Sequence, residues 1–403
     1  MAEENKSVKN FPNCGSVPKL RFPEFNDEWE ERFISEVISS KSKKYNPENS
    51  DSNYPSIELE SLCQDSGELL STFDSKNQKS IKNVFNAGNV LFGKLRPYLK
   101  KYYLADFDGV CSSEIWVLKS SILDSNYLYA FVQSNSFISL TEISSGSKMP
   151  RADWNLVSSS SIVYPSNPDE RKKIGELIQL INSRIQTQKK IIEQLETLIK
   201  GVGYKLFNKK IRFKNNDFSE FPSWENKKGN EVFSNISNKN HNSELPILAI
   251  TQEHGAIPRD LIDFRISVTD KSVESYKVVE KGDFIISLRS FQGGIEYSEY
   301  KGICSPAYII LRNKTEVNNY FYKYYFKSES YIKQLNKKLE GIRDGKMISY
   351  AYFSDINLPL PSINEQTKIA NFLSLIQEKI EIEKQILEKL EFQKKFLLAN
   401  LFV

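Results

Sequence analysis

The chain has 403 residues, 39% apolar and 26% charged, which is too long for one comfortable hydrophobic core and too rich in apolar side chains to be disordered. Its formal charge of +4 favours an anionic partner only weakly, and four scattered cysteines (Cys14, Cys63, Cys111, Cys304) with no CxxC pair exclude a disulfide framework and a recognisable zinc spacing. No run reaches about 18 apolar residues and no basic start precedes an apolar stretch, so an unexported, cytoplasmic protein with no membrane partner is expected.

In chain order, residues 1–17 are polar and read as a flexible N-terminal segment. Residues 18–165 read as an α+β domain of short strands. VLFGKLR from Val90 and SSEIWVLK from Ser112 have the β-branched and aromatic content of strands. NYLYAFVQSNSFISL from Asn126 carries aromatics at helical spacing, suited to core packing. Residues 166–209 predict a long helix whose start is fixed by Pro165 and Pro168. Residues 210–360 repeat the domain, with strands in DFIISLR from Asp283 and PAYIILR from Pro306 and helical spacing in NYFYKYYFKSESYIKQL from Asn319. Residues 361–403, behind Pro361, predict a second long helix.

The repeat is the main signal, with a period of about 195 residues, far too long for a solenoid. PKLRFPEF followed by Trp29 matches KIRF followed by SEFPSW, ending at Trp224. GNVLFGKLR from Gly88 matches GDFIISLR from Gly282, and GVCSSEIWVLK from Gly109 matches GICSPAYIILR from Gly302. YPSNPDERKKI from Tyr164 matches LPSINEQTKI from Leu360. Cys111 and Cys304 are equivalent and read as small buried side chains on a strand. Between these blocks the copies differ, as expected for one scaffold serving two targets.

Both helices carry a heptad stripe. In the first it runs Ile174, Ile178, Ile181, Ile185, Gln188, Ile192, Leu195, Ile199; shifted by 195 it runs Ile369, Leu373, Ile376, Ile380, Glu383, Leu387, Leu390, then Lys394 and Leu397. Spacing that averages 3.5 residues makes the narrow seam of a coiled coil, and the simplest burial is one stripe against the other. Gln188 and Glu383 hold equivalent polar seam positions suited to setting register. Short connections and the duplicated order favour an antiparallel pair, each helix about 55 Å long at 1.5 Å per residue. Leu177, Leu180, Ile191 and Leu198, and in the copy Phe372, Leu375, Ile386, Phe392 and Phe396, lie off the seam and suit docking of partner subunits.

Candidate DNA contacts are basic residues near small ones. SSGSKMPRADW (144–154) and GIRDGKMISY (341–350) both set Gly, a Lys-Met pair and an Arg on an expected exposed tip, nominating Lys148, Arg151, Arg343 and Lys346. Lys94 and Arg96, with Arg289 as the equivalent of Arg96, suit a DNA-facing role or a scaffold salt bridge. GxxxxGK here is followed by Leu95 rather than Ser or Thr, so it is not a phosphate-binding P-loop. Gln292 beside two glycines, and Arg259 grouped with Gln252 and His254, offer paired groups for base edges. Only two His residues are present, and no nucleophile elbow, dinucleotide fingerprint, methyl-transfer motif or nuclease motif is found.

This layout resembles the specificity (S) subunits of Type I restriction–modification systems, the HsdS family. The resemblance covers residues 18–403 and rests on the paired domain-to-helix junctions. LPSINEQTKIANFLSLI carries Pro361, Glu365, Gln366, Ile369, Ala370, Phe372 and Leu373 in a PxxxEQxxIAxFL pattern; the first junction departs, with Arg171 for Gln366 and Gly175 for Ala370. The resemblance implies two target-recognition domains, each reading half of an asymmetric, bipartite double-stranded DNA site, with the helix pair as a ruler for the spacer. It implies two methyltransferase (modification) subunits docked on the helices, and restriction/translocase subunits in the full complex. S-adenosylmethionine, ATP and Mg would be bound by those partners and no cofactor or metal by this chain, which would be non-catalytic. The alternatives are a duplicated coiled-coil adaptor that binds protein partners without reading DNA, and a stand-alone DNA enzyme.

Overall fold

The computed structural model describes residues 17–50, 52–143, 149–241, 244–262, 273–337 and 348–403. Its chain divides into two units, residues 1–189 with 385–403, and residues 190–384. The flexible segment expected at 1–17 therefore lies outside the described residues except for Val17.

In the first unit, Trp29–Phe33 pairs antiparallel with Ser161–Pro165, Trp29 opposite Pro165. The chain thus leaves the domain beside the point where it entered, and passes into the central helix, Pro168–Phe207, with Pro168 opening the helix. Inside this frame Val90–Gly93 lies between Tyr102–Leu104 and Ile115–Leu118. A five-stranded sheet takes Lys44–Tyr45, Lys82–Phe85, Gly109–Cys111, Pro55–Ile57 and Phe73–Asp74 in that order.

The second unit repeats the frame. Glu225–Lys228 pairs with Asn357–Leu360, and the distal helix, Ile363–Asn400, follows. Its four-stranded sheet runs Phe233–Ile236, Ile309–Asn313, Phe284–Ile286, Glu296–Tyr297. Leu248–Thr251 and Gly255–Pro258 form a hairpin, and Lys277–Val279 pairs with Gly302–Cys304.

The duplication is visible atom by atom. Cys111 and Cys304 end equivalent strands with no solvent exposure, and burial pushes both thiols up to about 12. A Cβ on Gly109 would sit 2.6 Å from the Pro55 carbonyl oxygen, and one on Gly302 would sit 2.6 Å from the Pro246 carbonyl oxygen. Gly88 (φ 86°) and Gly282 (φ 97°) each turn the chain through the left-handed region before the central strand. The aromatic segments differ from one continuous helix. Each breaks in two, Ser125–Phe131 then Asn135–Glu142, and Asn319–Tyr325 then Glu329–Asn336. The cause is a serine at the second N-cap: Ser134 accepts from the Phe137 amide and Ser328 from the Tyr331 amide.

The long helices are held to their domains by one repeated device. Arg21 donates through Nε (2.7 Å) and Nη2 (2.8 Å) to the two carboxylate oxygens of Glu170. Arg212 does the same to Glu365, at 3.0 and 2.7 Å. Both glutamates are fully buried in the first turn of their helix, where the macrodipole also favours a carboxylate. Gly175, which departs from the alanine of the other copy, lets the central helix approach the helix Ser125–Phe131: a Cβ there would be 2.6 Å from the Tyr127 amide nitrogen.

Within each unit the helix segments run antiparallel. In the first, Lys189 pairs with Glu391 at 3.3 Å, and the core that holds Ile174 and Ile178 also takes Leu401 and Phe402. In the second, Glu196 pairs with Lys384 at 3.3 Å, and Leu206 shares its core with Ile369 and Leu373. Ile174, Ile178, Ile181, Ile185, Gln188 and Leu397 are buried in the first unit, with Leu387 and Leu390 partly buried against the same core. Ile192, Ile369, Leu373, Ile380 and Glu383 are buried in the second, with Leu195, Ile199 and Ile376 half-buried. Off the seam, Leu180, Leu198, Phe372, Leu375, Ile386, Phe392 and Phe396 are exposed; Leu177 instead packs on the core and Ile191 is half-buried.

Candidate nucleic-acid interface

In the first unit the chain leaving Val90–Gly93 meets the segment that precedes Trp154. The Ala152 amide donates to the Lys94 carbonyl and the Arg96 amide to the Pro150 carbonyl, both at 2.8 Å, so that Leu95 lies opposite Arg151. This bridge brings together Lys94, Arg96 and Arg151, which lie far apart in the sequence. Arg96 is exposed and left-handed (φ 53°) although a proline follows it, and Lys100 closes the same turn at φ 47°. Such backbone costs of order 1–3 kcal/mol per residue and persists where surrounding structure imposes it. The turn between them, Pro97–Leu99, presents Tyr98 at 51% exposure. Arg151 is more than half exposed and pairs with Glu114 at 3.0 Å, which leaves part of its guanidinium facing solvent. Lys94 is half-buried.

In the second unit Arg289 is exposed at the start of the short helix Ser290–Gly293, and Gln292 is exposed on it. The hairpin turn reaches the same place: the Gln252 side chain lies against Gly293, and its Nε2 donates to the Arg289 carbonyl at 3.5 Å. His254, in that turn, is exposed. Arg259 does not join Gln252 and His254, contrary to their grouping by sequence. Its amide donates to the Ile247 carbonyl at the opposite end of the hairpin, four residues from the turn and about 13 Å away along a strand. Its Nε and Nη1 are buried with no hydrogen-bond partner among the described residues. Burial raises the Tyr308 phenol, and the charges of Arg259 and Arg289 both oppose that rise. Lys148, Arg343 and Lys346 lie outside the described residues.

The first unit therefore presents guanidinium groups and an exposed tyrosine at a tight turn, and the second presents an exposed guanidinium and amide side chains beside glycines. This is chemistry for gripping phosphates and reading base edges. Among the described residues no group of three or more His, Cys, Asp or Glu is placed to hold a metal ion, and no helix is long and apolar enough to cross a membrane.

The Type I restriction modification DNA specificity domain matches this chain twice, over residues 26–197 and 209–392. The chain belongs to that family. It is 32% identical over 244 residues to the putative type I restriction enzyme MjaX specificity subunit of Methanocaldococcus jannaschii, covering 56% of this chain and 55% of that one. It is 28% identical over 335 residues to the MjaVIII specificity subunit of the same organism, covering 77% and 74%. The chain thus spans about half the length of the first relative and three quarters of the second. Among solved structures, the Type-I restriction-modification S subunit from M. genitalium shares the fold with a TM-score of 0.60 at 18% identity, covering 96% of this chain and 99% of that one. A chain from work on complex assembly and conformational transition of the type I R-M system gives 0.56 at 20%, covering 92% and 96%.

Two features of the structure were not assigned from sequence. Arg21 and Arg212 stand in segments that revealed the repeat, yet their forks to Glu170 and Glu365 were not anticipated; the pairing of Arg and Glu in both copies was the available signal. The Tyr98 turn carried no signal, because left-handed Arg96 before proline runs against local preference.

Proposed function

We propose that this chain is the DNA sequence-reading subunit of a Type I restriction–modification complex, not itself catalytic, with each unit reading one half of a bipartite double-stranded site. The observation that supports this most directly is the double family match coupled to exposed basic residues set differently on one scaffold in the two units. A duplicated adaptor would need no such residues, and family membership favours the reading role over it. Residues 18–165 and 210–360 are the two recognition domains; 166–209 and 361–403 set the spacer. Lys94, Arg96 and Arg151 serve one half-site and Arg259, Arg289 and Gln292 the other, with Lys148, Arg343 and Lys346 as further candidates on sequence grounds.

Two methyltransferase subunits dock on the exposed apolar residues of the helices, Leu180, Phe392 and Phe396 in the first unit and Leu198 and Leu375 in the second. They bring S-adenosylmethionine, and restriction/translocase subunits bring ATP and Mg, in the cytoplasm where the DNA is. Linking two modest half-site contacts makes the second binding event intramolecular and raises its effective concentration. The test is base-resolution methylation mapping in cells carrying this subunit with its methyltransferase. A bipartite motif is expected, and insertion of a few residues in one long helix changes the spacer while both half-sequences stay the same. A continuous motif, or an unchanged spacer, overturns the reading.

A further inference from the structure

In the first unit both long helices grip one turn of the recognition domain. Residues 64–67 form that turn, with Asp65 (φ 48°) and Gly67 (φ 69°) both left-handed. From the central helix, Gln186 Nε2 donates to the Ser66 carbonyl at 3.2 Å. From the distal helix, Lys394 Nζ donates to the Tyr102 hydroxyl at 3.3 Å and lies 5.6 Å from the centre of its ring. The Tyr102 hydroxyl donates in turn to Asp65 Oδ1 at 3.2 Å. The turn is tied to the exposed tip described above: the Asp65 amide donates to the Lys100 carbonyl at 3.1 Å. Lys101 Nζ donates to the Leu59 carbonyl at 2.6 Å, fixing the next residue to the same region.

We propose that Lys394 is a positioning residue for DNA reading: through Tyr102 and the Asp65 turn it fixes the Arg96–Lys100 tip against the helix pair. The proposal rests on the reading given under Proposed function. The seam pattern supports it, because position 394 falls on the heptad stripe where its equivalent is Ile199, and an aliphatic residue would pack there without a charge to solvate. The surrounding charges come from every element packed on it. Burial lowers the ammonium to about 8; Asp65 on the turn and Glu391 on its own helix oppose that shift, while Lys189 on the central helix and Lys100 at the tip add to it. A lysine held this way is kept for where it points.

The test uses the full chain with its methyltransferase subunits and duplexes altered in one half-site at a time. Lys394→Met is expected to reduce discrimination against mismatches in one half by about tenfold, the scale of a lost hydrogen bond to a charged group, and to leave the other half unchanged. Lys394→Arg restores most of the loss. The wild-type complex loses discrimination in that same half between pH 7 and 9, while the K394M profile stays flat. Thermal melting of K394M no lower than wild type separates positioning from folding. A K394M complex that reads both halves like wild type, or loses both equally, overturns the positioning role alone. A wild-type complex with no sequence preference overturns the functional reading and the positioning role together.

Discussion

Arg212→Ala tests whether the arginine fork fixes the distal helix to its domain. Glu365 is fully buried and accepts three hydrogen bonds: from Nε and Nη2 of Arg212 at 3.0 and 2.7 Å, and from the Trp224 indole nitrogen at 2.9 Å. Nη2 also donates to the Pro222 carbonyl at 2.8 Å, so the guanidinium ties the approaching strand to the helix start. Removing it leaves a carboxylate without solvent and with the indole as its remaining donor. Breaking a buried pair costs on the order of 3–5 kcal/mol; the guanidinium is 23% exposed and water can partly replace it, which puts the loss at about 3 kcal/mol. For a unit of this size 1 kcal/mol is about 2–4 °C, so calorimetry of the full chain should show the transition of unit 190–384 fall by roughly 6–12 °C. Lys189→Ala, which breaks an exposed pair with Glu391, should cost under about 1 kcal/mol. The double change Arg212→Met with Glu365→Gln removes both charges and keeps an acceptor for Trp224, so it should recover much of the loss. If Arg212→Ala melts with the Lys189→Ala protein, the fork does not hold the helix.

Lys394 gives a pH signature. Its folded value of about 8 lies below the ordinary 10.5, so the unfolded chain binds the proton more tightly and stability rises with pH across that window; below pH 8 the full cost, about 3 kcal/mol, is present. Urea melts should therefore show Lys394→Met more stable than wild type at pH 7, with the gap closing towards pH 10.5. Gly302→Ala should destabilise by about 1–3 kcal/mol, because its Cβ meets the Pro246 carbonyl oxygen at 2.6 Å and backbone cannot step aside; denaturant midpoints for it and for Gly109→Ala should agree. Arg96→Ala and Arg289→Ala should each lower DNA affinity. A fall of about one in the salt slope marks a phosphate contact and a loss of about 1–3 kcal/mol of sequence preference marks a base contact, while no change in either measurement removes the residue from the interface.

The parts of the fold that repeat were legible because they are periodic. Heptad spacing announced both helices, and an offset near 195 announced two copies. The contacts that close each domain were not, because they join residues 149 and 153 positions apart, and no local pattern links Arg21 to Glu170 or Arg212 to Glu365. The candidate site was legible as residue types but not as groupings. Lys94 and Arg96 meet Arg151 only through a bridge between distant segments, whereas Arg259, close to Gln252 in sequence, is carried to the far end of a hairpin. Each aromatic segment read as one helix because its spacing is continuous; the serine cap that breaks it competes with that pattern from a single position.

What the two copies share and where they part divides scaffold from reading surface. They agree at the arginine forks, which tie a domain to its helix, and at the buried cysteines and the glycines pressed against proline carbonyls, which hold the sheets of each domain together. They part at Lys394 against Ile199, at left-handed Arg96 against Arg289 (φ −110°), and at the Trp29 indole, which has no acceptor among the described residues, against Trp224, which has Glu365. The first two differences bear on the exposed basic tip that Lys394 is proposed to position, and among the described residues the buried guanidinium nitrogens without a partner are those of Arg259 in the second copy. Folding stability would not select such features, since a depressed lysine and unpaired buried donors both cost free energy. Binding an asymmetric sequence would, because two halves that differ need two tips that differ on a frame that does not.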